Sequence, residues 1–266
     1  MKKEGLSYIH ENAKIGKNTT IDPFCTIMGD VVIGDNTWIG SNVTIYDGAR
    51  IGNDCKIFPG AVISAIPQDL KFKGESTITE IGDHTVIREF VTINKGTTFS
   101  HITKVGSNTM IMAYSHLAHD CVVGNNCVIA NSVNLAGHVE IGDWAIIGGG
   151  VNIQQFTKIG AHCFISGHTS LNKDVPPFVR GARFPLTYHG VNTIGLKRRG
   201  FSKEQVNQIM EIYRILYVRG LNTTKAIEKI KSEIPSSAER ELILQFISES
   251  KVGIMRGFKS IFDKNQ

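Results

Sequence analysis

The chain has 266 residues, enough for one large domain or two modest ones, with 41% hydrophobic residues, 20% charged residues and a net charge of +5. This is the composition of a soluble globular protein. No apolar run approaches a membrane span, and the N-terminal MKKEGLSYIHENAKIG has no apolar stretch of the signal-peptide kind, so the expected compartment is the cytoplasm. The mild positive charge suits an acidic partner or a phosphate-bearing substrate. Without aromatic interleaving it does not indicate nucleic acid.

From Ile15 the chain reads in sixes: IGKNTT IDPFCT IMGDVV IGDNTW IGSNVT IYDGAR IGNDCK IFPGAV. The first place is Ile, the second is often Gly, and the fifth is small. The beat returns at IGDHTV IREFVT and then runs unbroken from Val105 to Ser170. A period of six fits no α-helix. It fits a short strand and a turn repeated as a solenoid, with the aliphatic residue inside, the small fifth residue beside it, and Gly and Asn in the turns. Three blocks make one triangular coil, so residues 18 apart stack. Cys25, Cys55, Cys121, Cys127 and Cys163 all take the fifth slot, where Cys serves as a small buried hydrophobe. Nucleophile, disulfide and metal roles are the alternatives.

Two stretches break the beat, 64–80 and 95–104, and are expected to be loops projecting from the coils, where function concentrates. After about residue 176 the pattern changes to a connector and then to helical spacing. Val206, Ile209, Met210, Tyr213, Leu216 and Tyr217 mark an apolar face, Ser202 with Gln205 forms a capping box, and Gly220 suits a C-cap. A second helix is expected from about Thr224 and a third after PSSAERE. The chain is therefore divided into a mainly β solenoid over 1–190 and a C-terminal α-helical domain over 191–266.

Stacking at 18 residues brings chemistry together. His119, Gly137 and Gln155 fall in one column, His138 adjoins Gly137, and His116 lies three residues before His119, in the preceding block. A His on an outer face can serve as general base, and a Gly can offer its N–H to an oxyanion. No Ser, Cys or Lys in the column forms an activated nucleophile with the His, so the column suits direct attack of a substrate hydroxyl or amine on an acyl group. A plain solvated surface and a zinc site are the alternatives. For zinc, His116 and His119 would leave opposite faces of an extended strand.

The motifs IPQDLKFKGE, SHLAHDCVVGNNCVIAN, LAGHVEIGD, QQFTKIGAH, DVPPFV and GVNTIGLKRRGFS go further. In them the chain resembles the UDP-N-acetylglucosamine O-acyltransferases, hexapeptide-repeat enzymes of the first step of lipid A synthesis, over essentially its whole length. The resemblance implies a left-handed parallel β-helix, although the usual crossover is right-handed. It implies a homotrimer with sites between neighbouring coils, and no cofactor beyond the phosphopantetheine that carries the acyl group on acyl carrier protein. It implies His119 as the base that takes a proton from the sugar 3-hydroxyl, and Gly137 as the oxyanion donor. Asp120 would orient the base, although on an ideal strand it would point away. Gln68, Asp69 and Lys71 match positions that hold the sugar nucleotide, and Gln155 and His138 match substrate-contacting positions, with His116 supporting the site or shaping its pocket. Asn192, Arg198 and Arg199 match a region near the nucleotide, and paired arginines suit phosphates. Gly167 matches the position that limits acyl length, where Gly leaves room for about 14 carbons or more.

Two residues depart from the family pattern: Gln154 replaces a His, and Ile194 an acidic residue. They leave open an amino-sugar acceptor. The related N-acyltransferases carry a further N-terminal domain, whereas the repeats here are expected from about residue 9. The other readings are a different acyl donor, a metal-dependent hydratase on the same fold, and a non-catalytic scaffold.

Overall fold

The computed structural model describes residues 6–257; the two N-terminal lysines and residues 258–266, assigned above to the helical region, lie outside them. Among the described residues the strands form three sheets of nine, eight and eleven strands, each strand mostly two residues long. The sheets wind into a left-handed parallel β-helix. Each coil hands its backbone N–H groups to the carbonyls of the next, as in His116 N to Val133 O at 2.9 Å and Ala118 N to Leu135 O at 3.0 Å. The aliphatic column Ile45, Ile63, Ile93, Leu117, Leu135, Ile153 and Leu171 stays in register through the coils. Its members are almost wholly buried.

The sixfold grammar has a sharper physical content than small residues in turns. The left-handed backbone falls on the fourth place of the block, as in Asn18, Asn36, Asp54, Asn108, Asp120, His138 and Phe156. The second-place glycines serve close approach instead: a Cβ on Gly106 would lie 2.6 Å from the backbone of Gly124 in the next coil. The fifth place is small because it is buried, and it is also a donor. Thr37, Thr85 and Thr109 give their hydroxyls to the carbonyls of Gly52, Gly106 and Gly124. Cys25, Cys121 and Cys127 do the same with their thiols. All five cysteines are free and buried, and burial pushes the Cys121 and Cys163 thiols up to about 12.

The loops are shorter than expected. Ile78–Ile81 and Ile102–Val105 are strands paired over four residues, so the projecting chain covers only 66–77 and 95–101. The stacking interval, 18 in ordinary coils, is 30 across the first loop and 24 across the second.

The connector also carries structure that spacing did not suggest. Val179–Ala182 and Thr187–Val191 form an antiparallel pair that caps the eleven-stranded sheet, and Arg256–Gly257 adds to its edge. A short helix, α1 (Thr193–Arg198), follows, then α2 (Lys203–Tyr217), α3 (Thr223–Glu233) and α4 (Ala238–Glu249). The Ser202–Gln205 capping box is present. The C-cap of α2 is Val218, two residues before Gly220, and its buried face holds Ile212 and Ile215, whereas Met210 is 48% exposed. The Tyr213 hydroxyl, fully buried, reaches Pro177 O at 2.5 Å and ties α2 to the end of the solenoid.

Leu117 sits in the aliphatic column directly inside the strand that carries His116. Leu117→Ala is expected to lower unfolding free energy by about 2–5 kcal/mol, measured by urea denaturation, because the column admits little collapse.

Candidate active site

His119 and Asp120 occupy the third and fourth places of their block, at a turn rather than on the strand His116–Leu117. Asp120 has φ +58°. Asp120 is expected to orient His119, and the strand alternation that would point it away does not extend through a corner. The left-handed step instead swings the carboxylate back, and Oδ2 lies 2.8 Å from His119 Nδ1. That contact assigns the proton to Nδ1 and leaves the Nε2 lone pair free.

Asp120 is completely enclosed. Its Oδ1 accepts from Thr97 N at 3.0 Å, Ser100 N at 3.2 Å and Ser100 Oγ at 2.5 Å. Its Oδ2 accepts from Thr97 Oγ1 at 2.6 Å as well as from His119. Its own N–H donates to Thr103 Oγ1 at 2.8 Å. Burial pushes the carboxyl up, but the hydrogen bonds from Ser100, Thr97 and His119 outweigh it and hold Asp120 at about 2.

The His119 ring lies over Gly137. A Cβ there would stand 2.6 Å from Cε1 and 2.8 Å from Nε2, so the absent side chain makes room for the imidazole. The Gly137 N–H has no acceptor among the described residues. His138 stacks flat on Phe156, with centroids 4.3 Å apart, and meets Phe99 and His119 edge-on. Its Nδ1 is buried without a hydrogen bond, 3.7 Å from Asp120 Oδ2. Burial lowers the His138 pKa, with Asp120 opposing, His119 adding and Asp69 opposing. His116 Nδ1 pairs with Thr92 Oγ1 at 2.7 Å, and burial followed by the neighbouring His119 lowers its pKa.

A cavity of about 680 Å³ opens beside these residues, lined by Gln68, His116, His119 and Gly137 and ending at Phe184 and Pro185. One wall is a polar ladder in register, His116, Asn134, Asn152 and Ser170, with Asn134 Nδ2 on Asn152 Oδ1 at 3.0 Å. Coils stack about 4.8 Å apart, so the ladder runs about 14 Å along the axis.

The remaining candidates divide. Asp69 accepts from Lys71 N at 3.0 Å in the first loop, and Lys71 is exposed. Gln154 lines the cavity, while Gln155, also exposed, is not among its lining residues. Gly167 lies against the Gly149 carbonyl, where a Cβ would approach to 2.8 Å, and is not in the cavity wall. Asn192 caps α1 and donates to His162 O at 2.9 Å. With Arg198 and Ile194 it lines a second cavity of about 320 Å³. Arg199 lies over Trp144 at 5.3 Å and meets His162 Nδ1 at 3.4 Å. Sequence spacing did not single out Thr97, Ser100, Phe99, Asn134 or Asn152. The hydroxyl-rich KGTTFSHITK was the available signal.

His119, Asp120 and His138 place three potential metal-binding atoms within 4.8 Å of one another. The donor chemistry fits a metal poorly. A carboxylate offers about four lone-pair sites, and five donor groups already converge on Asp120.

Residues 12–37, 30–65 and 102–137 match the family described as Bacterial transferase hexapeptide (six repeats). Residues 174–255 match Udp N-acetylglucosamine O-acyltransferase; Domain 2. A protein from Chlorobaculum tepidum named acyl-(acyl-carrier-protein)–UDP-N-acetylglucosamine O-acyltransferase is 52% identical over 90% of this chain and 91% of its own length. The protein of that name from Sulfurihydrogenibium sp. is 48% identical, covering 92% and 91%. The crystal structure of a UDP-N-acetylglucosamine acyltransferase from Bacteroides fragilis superposes with a TM-score of 0.93 at 50% identity, over 94% of this chain and 98% of that one.

The depressed Asp120 has a consequence for stability. Its pKa falls from an ordinary 3.8 to about 2 on folding, so its contribution is complete above about pH 4 and is lost as pH falls toward 2. In urea titrations, Asp120→Asn is expected to be less stable than wild type at pH 6, with the difference shrinking between pH 4 and 2.

Proposed function

The chain belongs to the acyl-(acyl-carrier-protein)–UDP-N-acetylglucosamine O-acyltransferase family, and from that premise we propose how its residues carry out the transfer. The acyl group is a (R)-3-hydroxyacyl chain, delivered by acyl carrier protein to the 3-hydroxyl of UDP-N-acetylglucosamine in the first step of lipid A biosynthesis. His119 Nε2 removes the hydroxyl proton as the oxygen attacks the thioester carbonyl. Asp120 holds the opposite edge of the ring and stabilises the imidazolium that forms. The Gly137 N–H receives the oxyanion of the tetrahedral intermediate. Collapse of that intermediate breaks the carbon–sulfur bond, and the departing thiolate takes back the proton from His119. No nucleophile of the protein is acylated, and none of the chemistry calls for a cofactor.

The observation that carries this reading is the His119 Nδ1–Asp120 Oδ2 contact of 2.8 Å with the ring over Gly137 at the cavity wall. Gln68, Asp69 and Lys71 on the first loop, with His116, His138 and Gln155, hold the sugar nucleotide. Asn192, Arg198 and Arg199 attract phosphate, and the net charge of +5 favours docking of the acidic carrier protein. The proposed acyl length of about 14 carbons or more rests on the family match at Gly167, which stands outside the cavity wall. The protein works as a homotrimer, a reading supported by the fully exposed Leu70 and the 70% exposed Phe99 on the two loops. No helix among the described residues is long and apolar enough to cross a membrane, and the proposed compartment is the cytoplasm.

Purified protein assayed with UDP-N-acetylglucosamine and a series of 3-hydroxyacyl carrier proteins is expected to transfer. His119→Ala should lose about 10²–10⁴-fold in kcat, and undiminished turnover in that variant would sink the base assignment. Gly137→Ala, whose Cβ would crowd Cε1 at 2.6 Å, is expected to lower kcat by about 10²-fold while the circular dichroism spectrum and melting temperature stay close to wild type.

A further inference from the structure

We propose that the 95–101 loop is a clamp on the catalytic pair, with Thr97 and Ser100 as positioning residues that hold Asp120 in the orientation that aims His119. The proposal rests on the general-base reading of His119 and extends it to residues one coil away.

Three observations carry it. The solenoid does not need this loop to close: ordinary coils stack at an interval of 18, and here the interval is 24. The extra chain falls in the coil that leads up to His119, and its polar groups converge on one carboxylate. Thr97 N and Ser100 N approach Oδ1 at 3.0 and 3.2 Å, and Thr97 Oγ1 approaches Oδ2 at 2.6 Å. Thr97 Oγ1 in turn accepts from Phe99 N at 3.2 Å, which leaves its proton to Asp120. Ser100 Oγ lies within reach of both Ile102 O at 2.9 Å and Asp120 Oδ1 at 2.5 Å. Its single proton goes to the nearer, charged acceptor. Third, the tip of the same loop, Phe99, packs edge-on against His138 at 4.5 Å, on the far side of the pair.

The geometry explains why a clamp is needed. Asp120 stands at a corner in the left-handed region, where strand alternation does not dictate the direction of its side chain. Oδ2 must face His119 Nδ1, and a rotation about the side-chain bonds would turn it away. The Thr97 hydroxyl meets the same oxygen as His119, and the Ser100 hydroxyl and the two backbone N–H groups hold the other. The carboxylate is therefore fixed at both ends, and the imidazole inherits that rigidity. Asp120 is the fixed acceptor rather than a proton carrier, because its lone pairs are already committed. The other ionisable groups facing His119 are His116, His138 and, through His138, Asp69. None of them donates a hydrogen bond to Asp120 within the distances above.

The test is Thr97→Val, which keeps the branched shape and removes the O–H, beside Thr97→Ser, which restores it. Thr97→Val is expected to lower kcat by about 10–100-fold, with KM for UDP-N-acetylglucosamine within about two-fold, and Thr97→Ser to return kcat close to wild type. Nitrogen-15 spectra of histidine-labelled protein should show His119 as the Nδ1–H tautomer in wild type and Thr97→Ser, and as a tautomer mixture in Thr97→Val. Unchanged kcat in Thr97→Val would overturn the proposal. A loss that Ser does not restore, with the tautomer signal unmoved, would also overturn it and leave the loop a purely structural part. Should Thr97→Val not fold, Ser100→Ala against Ser100→Thr makes the same comparison. His119→Ala in the same assay separates the two readings. If it is inactive while Thr97→Val is unaffected, only the clamp fails. If His119→Ala stays active, the base assignment fails and the clamp falls with it.

Discussion

The structure depends on one constraint, the distance between neighbouring coils. Each strand is only two residues long for most of the solenoid, far too short to hold itself. What holds it is the regular backbone hydrogen bonding of one coil to the next, at about 2.8–3.0 Å through the repeats. That spacing forces bare glycines wherever backbone stacks on backbone, as at Gly106 on Gly124. It forces donors into the fifth slot to satisfy inward carbonyls, by Thr109 here and by Cys127 there. It sets a left-handed residue at most corners, because the chain must turn within two residues. The solenoid is quasi-one-dimensional, each coil answering to its neighbours.

Chemistry enters where this regularity is relaxed. The stacking of corners sets Gly137 one coil above His119 and Phe156 one coil above His138, so the imidazole, the bare backbone and the aromatic floor follow from an interval of 18 residues. The corner that a uniform solenoid would fill with Asn or Asp making coil-to-coil caps, as Asn125 and Asp143 do elsewhere, holds an Asp turned toward its own neighbour and an inserted loop. A rigid frame with one irregular coil allows a buried carboxylate and a half-buried imidazole to be held at hydrogen-bond distance without mobile supports.

Much of this was legible in the sequence. The Ile and Val beat located the core column and the stacking of His119 on Gly137, since both depend only on counting. The helices of the C-terminal region followed from apolar spacing and from Ser202 with Gln205. Other features were hidden for identifiable reasons. Asp120 was expected to orient His119 against the alternation of an ideal strand, and what the sequence hid is the corner, where that alternation does not hold. The glycines were read as turn residues because Gly is permissive, when the turn falls two places later and the glycines answer to the neighbouring coil. Met210 was placed inward by spacing alone, though Ile212 and Ile215 offer the better-packed face. Helix α1 is too short for a period to show. Thr97 and Ser100 carry no periodic signal, and their partner lies more than twenty or exactly twenty positions away.

The intervals across the two loops, 24 and 30, differ from 18 by whole blocks. The aliphatic beat therefore resumes in the same frame after each interruption, much as a reading frame survives insertions of whole codons. Coils that look alike to one another carry a risk: a strand shifted by one full coil would meet an equally suitable aliphatic column, and hydrophobic burial alone would scarcely tell the two arrangements apart. The loops remove that ambiguity. Only one register sets Thr97 and Ser100 against Asp120 and extends Ile78–Ile81 along Ile102–Val105. The interruptions thus act as alignment marks on an otherwise repetitive ruler, and the same contacts that hold Asp120 beside His119 also tell the folding chain which coil is which.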